Sequence, residues 1–127
     1  MAATGEPRRA SEGVLLLWAP PLALMTVIFA LSAQPDLSSG LGTLDLIGRK
    51  LIHAGEYALL TLLWWRVTRR HTEPARAIAV AAAIALLYAA SDEFHQCFVE
   101  GRHGTPVDVA IDSVGIALAS LYARRRS

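Results

Sequence analysis

Residues Gly13 to Pro35 read GVLLLWAPPLALMTVIFALSAQP, a run of 23 positions without a charge. A helix that crosses a hydrocarbon layer of about 30 Å needs about 20 such residues. A helix that is apolar on every face belongs either in lipid or in the core of a large protein. At 127 residues this chain is too small for the second. Pro20 and Pro21 would break a soluble helix, but membrane helices tolerate such kinks when neighbours satisfy the freed carbonyls. The stretch therefore reads as a membrane span, helix 1, over about residues 14–33.

Three shorter apolar segments follow. KLIHAGEYALLTLLWWRV covers 50–67, ARAIAVAAAIALLYAASDE covers 75–93, and VDVAIDSVGIALASLYA covers 107–123. At about 1.5 Å per residue each is just long enough to span. Their Ala/Leu-rich character lacks the alternation of barrel strands. The expected fold is all-α, an integral membrane four-helix bundle forming a single domain over 1–127. The 34–49 connection is expected to be its longest loop. The alternative for helix 1 is a cleaved signal peptide with Arg8 and Arg9 as its basic region, but its apolar core exceeds the usual length.

Composition agrees with this reading. Hydrophobic residues make up 54% of the chain and charged residues 18%, against roughly 25% charged in an ordinary soluble domain. Mean hydropathy is +0.38. So apolar a chain does not stay disordered. Cys97, the one cysteine, forms no bridge within the chain, and a net charge of +1 offers no basic field for nucleic acid. Of the 12 basic residues, Arg8, Arg9, Arg66, Arg69, Arg70, Arg76 and Arg124 to Arg126 fall on one side of a four-span layout. Only Arg49, Lys50 and Arg102 fall on the other. The positive-inside rule then places both termini in the cytoplasm, and Trp18, Trp64, Trp65 and Tyr122 lie at the cytoplasmic helix ends as an aromatic belt would. The expected location is the cell membrane, as a multi-pass protein.

The remaining ionisable residues gather at the opposite end. Lys50, His53 and Tyr57 have spacings of 3 and 4 and share one helical stripe, with Glu56 on its edge. Tyr88, Asp92 and, if the helix continues, His95 share another, with Glu93 beside them. Asp108, Asp112, Gly115 and Ala119 form a third. Intramembrane ionisable groups are costly and point to function by default. The stripes imply an outward-facing polar cavity among helices 2, 3 and 4. Gly115-x-x-x-Ala119 would let helix 4 pack closely on a neighbour.

Simpler roles compete at several positions. Thr105-Pro106-Val107-Asp108 has the form of a helix start, which alone accounts for Asp108. Asp92 or Asp112 could pair with Lys50 or Arg102 to hold helices together. Tyr57 and Tyr88 suit packing with the hydroxyl on a polar partner. Glu56, His71, His95 and His103 read as peripheral and Cys97 as inert. The histidines lack the spacing of a zinc motif, so neither a metal nor a cofactor is expected.

Lys50-x-x-His53-x-x-x-Tyr57, then Asp92-Glu93-x-x-Gln96-x-Phe98-x-x-Gly101-Arg102, then Asp108-x-x-x-Asp112-x-x-Gly115 occur in that order, after Ser32-Ala33-Gln34-Pro35. In these motifs the chain resembles the VanZ-like family of small bacterial membrane proteins, from about residue 14 to 120. The resemblance marks Lys50, His53, Tyr57, Asp92, Glu93, Gln96, Arg102 and Asp108 as site residues. It implies a role in the cell envelope and a link to resistance to the glycopeptide teicoplanin. The family usually has Asn where this chain has Asp112, and Ala119 replaces a glycine.

The expected partner is an anionic membrane lipid or lipid-linked envelope precursor. Lys50 and Arg102 would contact its phosphate, and Tyr57, Gln96, Asp108 and Asp112 would complete the binding site. If the protein is an enzyme for phosphoester or headgroup transfer, His53 is the base, oriented by Asp92 or Glu93. A non-catalytic structural or assembly partner and a proton-linked transporter are the other readings. Transport by so small a bundle would require a homo-oligomer.

Overall fold

The computed structural model describes residues 6–32, 43–98 and 106–127. They form four α-helices: α1 (Glu6–Ser32), α2 (Thr43–Thr68), α3 (Pro74–Gln96) and α4 (Pro106–Arg126). The order is up-down-up-down. The core is the trio α2, α3 and α4, with the α2–α4 contact the most extensive, while α1 rests on α2 and more lightly on α3.

Small side chains explain the close packing of the trio. Ala77, Ala81, Ala85 and Ala89 recur every fourth residue on α3 and have no exposed surface. Small residues at such an interface let backbones approach and gain dispersion contacts without a hydrophobic driving force. On α2, Tyr57, Leu60, Thr61, Trp64 and Val67 face inward, and on α4 the buried stripe is Asp112, Ile116, Ala119 and Ala123. The Thr68 hydroxyl donates to the Ala77 carbonyl at 2.8 Å, and a turn over 69–73 joins α2 to α3 as antiparallel neighbours. Pro74 opens α3 at a position where its missing N–H costs nothing.

α1 is held differently. Its inward stripe is limited to Leu17, Pro21 and Ile28, with Leu24 and Met25 partly covered. Pro20 has no N–H, so the Leu16 carbonyl loses its helical donor. Arg66 of α2 reaches that carbonyl with Nη2 at 3.5 Å. The Tyr88 hydroxyl of α3 donates to the Met25 carbonyl. The proline-containing helix is thus tied to both neighbours through its backbone.

Outward faces are apolar: Leu16, Leu59, Leu87 and Leu118 are all exposed. Such faces suit lipid rather than water. Gly13–Leu31 of α1 and the whole of α3 are long and apolar enough to cross a membrane. α2 and α4, which carry most of the ionisable residues of the polar end, fall short of that criterion.

The helices overrun their apolar segments. α2 begins at Thr43 rather than near residue 50, so 43–49 is helical instead of loop. α3 continues past Glu93 to Gln96, which brings His95 and Gln96 onto regular helix. Charge marks where an apolar stretch stops, whereas a helix stops only where its backbone bonding fails, and polar side chains do not interrupt that. Ala33 to Pro35, Arg102, His103 and Thr105 lie outside the described residues. A second difference concerns the belt. Trp64 and Trp65 are buried in the core rather than turned outward, and Trp18 meets Trp64 edge-on at 5.7 Å.

Candidate functional site

The site begins with a glycine. A Cβ on Gly115 would lie 2.0 Å from the Ala54 carbonyl oxygen and 2.9 Å from its carbon. Only hydrogen fits, so α2 and α4 touch backbone to backbone at this point. Because the two helices run parallel, the side chains toward their N-terminal ends meet in layers above the contact.

His53 and Asp112 form the first layer. Nδ1 of His53 lies 3.4 Å from Oδ1 of Asp112, whose side chain is 1% exposed against 25% for His53. Among the described residues neither oxygen of Asp112 accepts a hydrogen bond. A carboxylate without solvent or donors is strongly disfavoured unless a cation or proton compensates it. With the proton on Nδ1 facing Asp112, Nε2 is the nitrogen left for other partners.

One turn further out, Lys50 Nζ lies 3.0 Å from Asp108 Oδ1. Both side chains are about a third exposed, so this pair stabilises by no more than about 1 kcal/mol. Asp108 also sits in the first turn of α4, where the helix dipole favours a carboxylate. The ion pair is a second role for Asp108 beside the helix start expected of it, whose Thr105 lies outside the described residues.

α3 supplies the third wall. The buried Tyr57 hydroxyl lies 3.5 Å from Asp92 Oδ2, the outer limit of a hydrogen bond, and the Tyr57 ring stacks on His53 with centroids 6.3 Å apart. Asp92, Glu93 and Gln96 are buried on the same helix. Together these contacts place Lys50, His53, Tyr57, Asp92, Glu93, Gln96, Asp108 and Asp112 at one end of the bundle.

Two expected pairings change. The carboxylate against His53 is Asp112, not Asp92 or Glu93, and the partner of Lys50 is Asp108, not Asp92 or Asp112. The Gly115 approach sets the rotation of α4 against α2, and that rotation decides which acid meets which base. The His95 ring lies tilted against Phe29 of α1 with centroids 4.6 Å apart, and His71 lies near Trp18 at the opposite end. The Cys97 thiol lies 3.4 Å from the Glu93 carbonyl oxygen. Among the described residues, no three His, Cys, Asp or Glu side chains converge as a metal would require.

A helical bundle with apolar outer faces, two helices fit to cross a lipid layer, and ionisable groups enclosed at one end defines a membrane-associated α-helical protein. The family model described as VanZ/LLP1 matches residues 15–125, nearly the whole chain, and the protein belongs to that family. Neither a curated protein nor a solved structure matches it.

Proposed function

We propose that this is a four-span protein of the bacterial cell envelope, with both termini cytoplasmic, whose polar end binds the headgroup of an anionic lipid or lipid-linked precursor. Asp112 carries the reading: a carboxylate with no exposed surface and no hydrogen-bond donor among the described residues, facing His53 at the end of an apolar bundle. Such an arrangement is expensive as mere glue, because apolar residues of similar volume hold helices together as well or better. The cations that the sequence assigns to this end, Lys50 and Arg102, suit a phosphate. Buried carboxylates beside them suit hydroxyl or ammonium donors on the same headgroup. Family membership alone extends the proposal to tolerance of glycopeptide antibiotics such as teicoplanin.

Native mass spectrometry of the detergent-solubilised protein tests the site. The wild type is expected to carry one phosphate-bearing lipid adduct more than folded Asp112→Asn and Arg102→Ala variants. Equal adducts on all three proteins, or none on the wild type, would overturn the reading. For the topology, green fluorescent protein fused after Ser127 is expected to fluoresce and alkaline phosphatase fused there to be inactive. The reverse pattern would refute cytoplasmic termini.

A second reading, headgroup or phosphoester transfer with His53 as base, is favoured by the same pair. An imidazole fixed at Nδ1 by a carboxylate presents Nε2 for proton transfer. Asp112 would be the orienting residue.

A further inference from the structure

The opposite end of the bundle holds a cavity of about 280 Å³, lined by Trp65, Arg69, Arg70, Pro74, Arg126 and Ser127. It forms where the end of α2, the turn into α3 and the end of α4 converge, so two segments far apart in sequence build it. Among the described residues none of its three arginines is ion-paired with a carboxylate. Two of them are nevertheless held in place. The Arg69 guanidinium lies over the Trp65 ring, 4.9 Å from its centroid, and that of Arg126 over Tyr122 at 5.4 Å.

A guanidinium held over an aromatic ring by cation–π attraction retains N–H donors that can meet two phosphate oxygens at once. Stacking also restricts rotamers in advance, which lowers the entropy lost on binding. Trp65 is itself more than nine-tenths buried, and among the described residues its indole N–H has no acceptor. Large apolar side chains are exposed on α2, α3 and α4, the helices whose ends build the cavity, and such surface suits acyl chains.

We propose that this cavity binds the phosphate of an anionic phospholipid headgroup, as a site separate from the His53–Asp112 cluster. Basic pockets between membrane helices are a recurrent means of holding such headgroups. The cavity would anchor the bundle in a leaflet rich in anionic lipid.

Thermal melting of the full chain in a neutral detergent, titrated with short-chain phosphatidylglycerol, tests the assignment. Phosphatidylglycerol is expected to raise the melting temperature, with phosphatidylcholine and inorganic phosphate giving little change. In Arg69→Gln/Arg126→Gln the lipid concentration needed should rise about tenfold or more. Arg124→Gln/Arg125→Gln removes the same charge outside the cavity and should respond like the wild type. On an Asp112→Asn background, Arg69→Gln/Arg126→Gln should cause a loss of the same size, which separates this site from the one at the polar end. An equal loss in the two arginine pairs would mean diffuse attraction and overturn the site. An equal rise with phosphatidylcholine, or with inorganic phosphate, would overturn the anionic-lipid assignment.

Discussion

Gly115→Ala is expected to lower the melting temperature of the detergent-solubilised protein sharply, with a loss of about 3 kcal/mol or more. The added methyl would sit 2.0 Å from the Ala54 carbonyl oxygen, and the obstacle is backbone rather than the end of a movable side chain. One helix must therefore shift along its length. Gly55→Ala is the matched comparison, since a Cβ there meets nothing within 4 Å. Alanine at an exposed helical glycine is expected to be neutral or to stabilise by up to about 1 kcal/mol. The same helical substitution thus gains at one position and fails at the other, and only the interhelical distance differs. Equal melting of the two variants would show that α2 and α4 do not approach as described. Because the Gly115 contact sets the layers above it, separation of the helices should also part His53 from Asp112.

That contact separates what the amino-acid sequence encodes locally from what only the packed bundle decides. The 3 and 4 spacings of Lys50, His53 and Tyr57, and of Asp108 and Asp112, put each set on one helical face, because helical periodicity is a local property. The pairing between faces is not local. It depends on how far α4 rotates and slides against α2, which is decided by the absence of a side chain at position 115 and by the α3 alanine ladder. A glycine four residues before Ala119 announces close packing without naming Ala54 as the surface it meets. The burial of Trp64 and Trp65 is illegible in the sequence for a related reason. Position near a helix end is local, but whether an indole faces outward or inward depends on which neighbour covers that side. The early start of α2 at Thr43 is masked by Arg49 and Lys50, since charge locates a hydrocarbon boundary and not the end of a hydrogen-bonded helix.

His53→Ala is expected to cost about 3 kcal/mol, because it leaves the Asp112 carboxylate buried without the one basic contact it has among the described residues. The partial exposure of His53 keeps the figure at the lower end of what broken buried pairs show. Asp112→Asn alone should cost far less, about 1 kcal/mol, since a neutral amide of the same shape faces Nδ1 and no charge is left stranded. The double variant His53→Ala/Asp112→Asn should then be more stable than His53→Ala by more than half of the original loss. Melting temperatures of the four proteins in one detergent measure this coupling, and simple additivity would refute the pairing. Lipid retention in the double variant separates two roles that stability alone does not. If the pair serves only to hold α2 against α4, restored stability should bring back every property of the wild type, bound lipid included. If the pair is a site, the double variant should melt nearly as late as the wild type yet carry one phosphate-bearing adduct fewer. Only groups at which stability and binding come apart in this way are held in the bundle for what they bind.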